Sequence, residues 1–391
     1  MAPHTVNWGI MATGWIAETF CKDLLTNPAS RDVTDVAHRI AAVSSSRDAQ
    51  KARDFVKKID APADTPVYGS YAELVRDANV DIVYVATPHS HHFQNAMLAL
   101  DAGKHVLCEK ALTVTAQQTR VLVETARAKK LFFMEAVWTR YFPLSIKVRE
   151  LISTGAIGKV YRTTADLSFN SNDAAEGSDK LSFADSHRMV NPELAGGALL
   201  DLGIYSLTWL FQTLYHLQAD KESPEVLASV QKYPVTGADE STTMILNFPK
   251  NRQTGIATTS LRVDTAPDGK GNTAPAIRIQ GSKGEIQVAH PAFRPLSYKV
   301  VKKGVEEVEV VECPVPKDEA RKWGHGMFWE ADECARCLRD GKLESASLPL
   351  SESLVIMETM DSAIKQGGIN YPDLITTHEF DAKSPLNLGN A

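Results

Sequence analysis

Along the first 135 residues, short apolar runs alternate with stretches where apolar side chains recur every third or fourth position. Thr5 to Ile10 predicts a strand, and Ile16, Phe20 and Leu24 follow it at helical spacing. The alternation continues with strands over 39–44, 67–69, 81–87, 104–108 and 131–134. Between them the spacing predicts helices over 48–58 and 71–77, one running to Leu100, and one over 114–129. Strands separated by helices of this length build βαβ units, hence a parallel sheet with right-handed crossovers.

After about Trp138 the pattern changes. A helix over 144–153 ends at Gly155, and strand signals then dominate: 160–170, 225–232, 242–248, 254–263, 276–280 and 285–289. Ile277, Ile279, Ile286 and Val288 alternate with polar residues, the period of two of antiparallel strands with one covered face. Residues 296–301 and 307–311 predict a further hairpin across Lys302-Lys303-Gly304, and helices are expected over 328–338 and 354–365. A large open sheet needs something over its second face, and a second copy of the chain is the expected cover, hence a homodimer.

Composition narrows the classes. The 391 residues are 43% hydrophobic and 23% charged, which excludes a disordered or collagen-like chain. Lys plus Arg is 42 and Asp plus Glu is 48, a net charge of −6 without basic runs, so neither nucleic acid nor an anionic membrane is an expected partner. The longest apolar run, around Leu199 to Phe211, is interrupted by Asp201 and polar residues, and no membrane span is expected. The first residues carry no basic-then-apolar signal, the last match no peroxisomal or prenylation signal, and five scattered cysteines form no disulfide framework. A reducing, cytoplasmic setting is the expectation.

Gly9-Ile10-Met11-Ala12-Thr13-Gly14-Trp15-Ile16-Ala17 follows the first strand and opens a helix. It has the outer glycines of a dinucleotide loop, with Ala12 in place of the middle one. Such a loop brings backbone N–H groups and a helix N-terminus to a pyrophosphate; a plain turn would use the same glycines. Ser44-Ser45-Ser46-Arg47 ends the second strand, where an NAD site usually carries an acidic residue. Hydroxyls and a guanidinium suit a 2′-phosphate, so NADP is the expected cofactor. Ser46 is also placed to cap the helix beginning near Asp48. The alternation of strands and helices and the glycine loop together predict an α/β fold: an N-terminal Rossmann dinucleotide-binding domain over 1–135, and a C-terminal α+β domain over 136–391 with a large, mostly antiparallel open sheet.

Thr87-Pro88-His89-Ser90-His91-His92 sits at the end of the fourth strand. Consecutive residues at a helix start cannot all converge on one ion, so no metal is expected; His89 and His92 are expected near the dinucleotide and His91 in solvent. Glu109 and Lys110 stand at the carboxyl end of the fifth strand, beside the expected nicotinamide. Further on, Gly196-Gly197 precede Asp201 and Tyr205, a carboxylate and a phenol on one helix face. A phenol near a cation becomes a better proton acceptor. Cys334 and Cys337 read as two half-buried thiols on a helix.

These segments, together with Ala86-Thr87-Pro88, His92, Ala102 to Lys110, Glu135-Ala136 and Gly196 to Tyr205, resemble the glucose–fructose oxidoreductase / inositol dehydrogenase (Gfo/Idh/MocA) family over nearly the whole chain. Trp138-Thr139-Arg140-Tyr141-Phe142-Pro143 and Asp201 to Tyr205 are similar to its dimeric dihydrodiol dehydrogenase branch. Lys110-Ala111, Ser186 to Pro192 and Ser384-Pro385-Leu386-Asn387 resemble sugar-oxidising members of it. The resemblance implies a two-domain enzyme with its active site between the halves, Lys110 as a catalytic residue and Tyr205 as general acid/base. Asp201 would orient substrate hydroxyls, and Trp138 and Arg140 would line the cofactor or substrate wall. The family signature has proline after the lysine; this chain has Ala111. The implied activity is NADP-dependent oxidation of an aldose, D-xylose, at C1 to the lactone. A dihydrodiol or dicarbonyl substrate, or a regulator that senses NADP without turnover, are the alternatives.

Overall fold

Val6, Trp8, Ile10 and Met11 are all buried along β1 (His4–Met11), as befits a central strand of a sheet covered on both faces. The computed structural model describes residues 2–175, 178–270 and 272–388. From β1 the chain runs through α1 (Trp15–Leu24), β2 (Val36–Ser44), α2 (Ala49–Lys58), β3 (Val67–Tyr68), α3 (Tyr71–Leu74), β4 (Ile82–Val85), α4 (His92–Asp101), β5 (His105–Glu109), α5 (Ala116–Lys129) and β6 (Phe133–Ala136). The strands pair in parallel in the order β3-β2-β1-β4-β5-β6. The order reverses between β1 and β4, so their carboxyl ends open the crevice in which such sheets bind ligands. The expected elements are present with ends shifted by a few residues. One cap differs: the Asp48 carboxylate, not Ser46, accepts the Gln50 N–H at 2.7 Å.

A second unit comprises Thr139–Pro314 and Val355–Pro372. After α6 (Pro143–Ser153) and β7 (Val160–Ser168), an irregular stretch leads to a helical run whose turns widen to π geometry at Leu199–Gly203 and Phe211–Tyr215, on either side of α7 (Ile204–Leu210). Strands β8 (Glu225–Lys232), β9 (Asp239–Phe248), β10 (Gln253–Ser260), β11 (Ile277–Gly281), β12 (Gly284–Val288), β13 (Ser297–Lys302) and β14 (Glu309–Glu312) follow. The sheet order is β14-β13-β12-β11-β7-β10-β9-β8; β7 and β10 are parallel and the other neighbours antiparallel. The helical run Pro192–Tyr215 is long and apolar enough by composition to cross a membrane, contrary to the sequence expectation, but 94% of its most apolar window is buried inside the protein. It is the core helix under the sheet: Ser206 Oγ donates to the Thr258 carbonyl at 2.8 Å, and Gly255 leaves room for Leu210.

The expected boundary at 136 assigns the rest of the chain to the second domain. The structure instead returns Val315–Leu354 and Asp373–Ala391 to the first unit. The cause is a set of side chains hundreds of residues apart. On α8 (Phe328–Arg339), Asp332 accepts a forked pair from Arg31 Nε and Nη2, both at 2.9 Å, and faces His38 Nε2 at 2.9 Å. Asp23 on α1 accepts the N–H groups of His325, Gly326, Met327 and Phe328, which are the open donors ahead of α8. Gln94 and Asn95 of α4 hold the tail, the first donating to the Glu379 carbonyl and the second to the Leu386 carbonyl. Cys334 and Cys337 are buried on α8 rather than half-buried.

Candidate active site

In the first unit, the loop after β1 shows why each small residue is there. A Cβ on Gly9 would lie 2.8 Å from Val80 Cγ1, so Gly9 serves packing. A Cβ on Gly14 meets no protein atom within 4 Å, on an extended backbone at φ −77°. Gly14 opens α1 with no side-chain cap, leaving N–H groups for an anion. Ala12 takes φ 91°, the conformation a glycine favours, and its N–H donates to Ser44 O at 3.2 Å. Thr13 and Ile16 are half-buried, whereas the Met11 side chain lies in the core, so only its backbone fits a cofactor role. Ser45 is buried, Ser46 half-buried and Arg47 exposed at the end of β2. An uncapped helix start, open space over Gly14 and a guanidinium beside the β2 end fit a dinucleotide with a 2′-phosphate.

Ala86, Thr87 and Pro88 line the end of β4, and the histidines after them turn inward. His89 Nε2 lies 3.1 Å from the Lys110 carbonyl. His92 is fully buried, with Nδ1 2.9 Å from the Ala111 carbonyl and Nε2 2.9 Å from the Thr87 carbonyl. A group with no accessible surface cannot touch a cofactor, so His92 holds the Lys110–Ala111 backbone instead. That peptide bond is cis, with alanine where the family signature has proline. Burial pushes the His92 ring down to about 4 against the pull of the two carbonyls, so it is neutral at pH 7 and donates to one of them. His91 is buried, not solvated; its ring packs on the Ser90 hydroxyl, and burial pushes it to about 4 as well. Among the described residues, no group of three or more His, Cys, Asp or Glu could hold a metal.

Lys110 is half-buried, and its N–H donates to Glu109 Oε2 at 3.1 Å. The Tyr84 hydroxyl donates to Glu109 Oε1 at 2.5 Å. Burial, then the Glu109 and Glu330 charges, hold the Tyr84 phenol well above its usual range. Glu330 of α8 is fully buried, and burial with the Glu109 and Asp23 charges holds its carboxyl well above the usual carboxylate range. Glu109 is thus one of a buried group of acidic and phenolic side chains at the end of β5, beside Lys110.

The sequence reading missed an aromatic cluster in this unit. His325 stacks on Trp138, centroids 5.0 Å apart, and on Trp323 at 6.1 Å, while Trp15 stands edge-on to it at 6.4 Å. Trp138 is therefore part of a wall beside the glycine loop. The signal was the stretch Trp323-Gly324-His325-Gly326, which lies far along the chain from the loop it meets.

In the second unit, Asp201 and Tyr205 lie on the widened helix, both nearly buried. Asp201 Oδ1 accepts from Arg188 Nη1 at 2.9 Å, and the Tyr205 ring packs on Phe293 at 5.8 Å. A Cβ on Gly196 would meet the Arg188 and Asn191 backbone at 2.7 Å, so the turn bearing Arg188 seats directly on the glycine pair. Arg140 is 0% exposed, its guanidinium 3.1 Å from His216 Nδ1, which removes it from any cofactor or substrate wall. Arg188 stands 13 residues before Asp201, in the irregular stretch ahead of the helix, which is why its pairing with Asp201 was not foreseen from spacing.

Comparison with known proteins agrees with this geometry. Residues 6–137 match the model described as "Oxidoreductase family, NAD-binding Rossmann fold", and residues 145–287 match the "GFO/IDH/MocA C-terminal domain". The chain is 67% identical to the D-xylose 1-dehydrogenase (NADP(+)) of Hypocrea jecorina, covering 99% of this chain and 98% of that one. It is 35% identical to the human trans-1,2-dihydrobenzene-1,2-diol dehydrogenase, covering 94% and 98%. In fold it is similar to a levoglucosan dehydrogenase solved with NADH and levoglucosan, with TM-score 0.74, 15% identity and coverage of 93% and 97%. Two matched domains in sequence, and relatives of this identity along almost the full length, make the chain a member of the Gfo/Idh/MocA oxidoreductase family.

Proposed function

We propose that the protein oxidises D-xylose at C1 to the lactone with NADP⁺ as acceptor. The observation that carries this is the 67% identity over 99% of the chain to an NADP-dependent D-xylose 1-dehydrogenase, in a chain that has both Lys110 and Tyr205. The Gly14 loop and Ser45-Ser46-Arg47 would hold NADP⁺, which when bound would supply the hydride acceptor. Tyr205 takes the proton of the anomeric hydroxyl and Lys110 is the second catalytic residue, the roles that the family resemblance implies. The Glu109 carboxylate and the two histidines fix the backbone of Lys110. Asp201, held by Arg188, orients the sugar hydroxyls.

The same residues would serve a dihydrodiol, so the assay compares D-xylose, D-glucose and a trans-dihydrodiol with NADP⁺ and NAD⁺. The expected result is highest kcat/KM with D-xylose and NADP⁺. Tyr205→Phe should keep NADPH binding and lose turnover by about 10³-fold or more; a variant that still turns over removes Tyr205 from the chemistry. We also propose a homodimer through the open sheet face, where Leu227, Ile245 and Ile256 stand in register across β8, β9 and β10. Leu227→Asp should then give monomers in light scattering. Cytoplasmic residence is supported by five cysteines, all free, and is tested by cell fractionation.

A further inference from the structure

We propose that Asp239 is a positioning residue: its carboxylate holds the start of the helix that carries Asp201 and Tyr205, and its ionisation shapes the pH dependence of turnover. The inference rests on the reading of Tyr205 as the proton acceptor.

The helix needs such a partner. At Ala198, where it begins, no side chain of the local sequence caps it, although four N–H groups open there. Asp239, the first residue of β9, supplies the missing acceptor from 40 residues away. Its Oδ2 accepts the Leu199 N–H at 2.6 Å and the Thr242 hydroxyl at 3.3 Å. Its Oδ1 packs against Gly197, where any Cβ would collide with it; Gly197 sits at φ 141°, which only glycine adopts without strain. The paired glycines therefore do two jobs. Gly196 admits the Arg188–Asn191 turn, and Gly197 admits the carboxylate.

A negative charge at a helix N-terminus is favoured by the helix dipole. Protonation removes it and leaves a neutral acid on two amide donors. Asp239 is fully buried, and burial pushes it up to about 7, against the Leu199 and Ala198 N–H groups and the Thr242 hydroxyl, which pull it down. Its charged surroundings are otherwise satisfied. Lys232, its register partner on β8, donates to the Gly368 carbonyl. Glu240 is held by Arg262 at 2.8 Å, and Arg188 by Asp201. The Tyr371 phenol, buried near Asp239, is held well above 10 by burial and by the Asp239 and Asp361 charges, so it stays neutral throughout. Asp239 is thus a carboxyl at the helix start, on two backbone amides, that burial brings up to about 7.

The test is kcat against pH for wild type and Asp239→Asn, with D-xylose and NADP⁺. Wild-type kcat should fall as pH drops through about 7. Asp239→Asn should lose that limb and run roughly tenfold slower at pH 8, with NADP⁺ affinity unchanged. An asparagine variant with wild-type kcat and limb overturns the proposal. Should that variant not fold, Thr242→Val leaves the carboxylate in place and removes one stabilising hydrogen bond. Its limb should move to higher pH, and an unmoved limb overturns the proposal. Amide exchange of residues 198–205 separates this from the activity reading. Even if no sugar is turned over, exchange corrected for intrinsic rates should speed up below pH 7, and flat protection would sink the role of Asp239 alone.

Discussion

Gly14→Ala adds one methyl where no protein atom lies within 4 Å, on a backbone at φ −77° and ψ 179° that alanine adopts freely. Two small effects on folding oppose each other. Alanine is a poorer N-cap than glycine by about 0.5–1 kcal/mol. It also narrows the unfolded ensemble, a gain of about 0.4–1 kcal/mol. The net stability change is within roughly 0.5 kcal/mol. Gly9→Ala is the opposite case: its Cβ would lie 2.8 Å and 3.2 Å from the two Val80 methyls, and overpacking there costs about 1–3 kcal/mol. If a pyrophosphate rests on the start of α1, the Gly14 methyl displaces it from a charge-assisted backbone bond. Such bonds contribute about 1.5–3 kcal/mol, a loss of roughly ten- to hundredfold in affinity. NADPH fluorescence titration and thermal melting on the same preparations read both quantities. The expectation is a Gly14→Ala protein that melts like wild type and binds poorly, beside a Gly9→Ala protein that melts lower. A Gly14→Ala variant with lowered melting and unchanged NADPH affinity refutes the assignment of that space to a ligand.

Asp332→Ala should cost about 3–5 kcal/mol in urea unfolding, because it strands the Arg31 guanidinium, whose side chain is 1% exposed; a loss below about 1 kcal/mol contradicts this. In the same network, Trp8 Nε1–H donates to His38 Nδ1 at 3.2 Å, so His38 carries its proton on Nε2, towards Asp332, and stays neutral. His91 and His92 both have pKa values depressed to about 4 by burial. Their contribution to stability is therefore complete above pH 6.5 and is lost as pH falls from 6.5 to 4, at most about 3 kcal/mol each. His91→Gln should flatten the fall in melting temperature over that window, and an unaltered slope counts against the assignment. Ala12→Gly relieves a positive-φ alanine and should raise stability by about 1 kcal/mol net; a lower melting temperature would show that the loop is not strained there.

The alternation of periods was enough to place the parallel sheet, the glycine loop and the strands of the second sheet, because each depends on neighbours within a few residues. What it could not reveal depends on partners far along the chain. The amphipathic pattern of 328–338 announces a buried face without saying which sheet it covers. That is settled by Arg31 meeting Asp332 and by Asp23 meeting the turn at His325, contacts about 300 residues apart. Ser46 and Asp48 are both good caps, and only backbone geometry chooses Asp48. His91 reads as solvated from polarity, yet the turn at Pro88 folds its ring inward. Lys110 and Glu109 were legible from their position at a strand end; the histidines that fix the neighbouring carbonyls were visible as residues but not as anchors.

The grip of Asp23 on the amides of residues 325–328 has a consequence for how the molecule is made. A ribosome delivers the six parallel strands first and the helix that roofs β1 and β2 nearly last. While some 175 residues of another unit are synthesised in between, that flank of the nascent sheet lacks its native lid, leaving a window for chaperones or misassociation. Expressing residues 1–138 alone would prolong the window indefinitely; a permuted gene placing 315–391 ahead of them would close it.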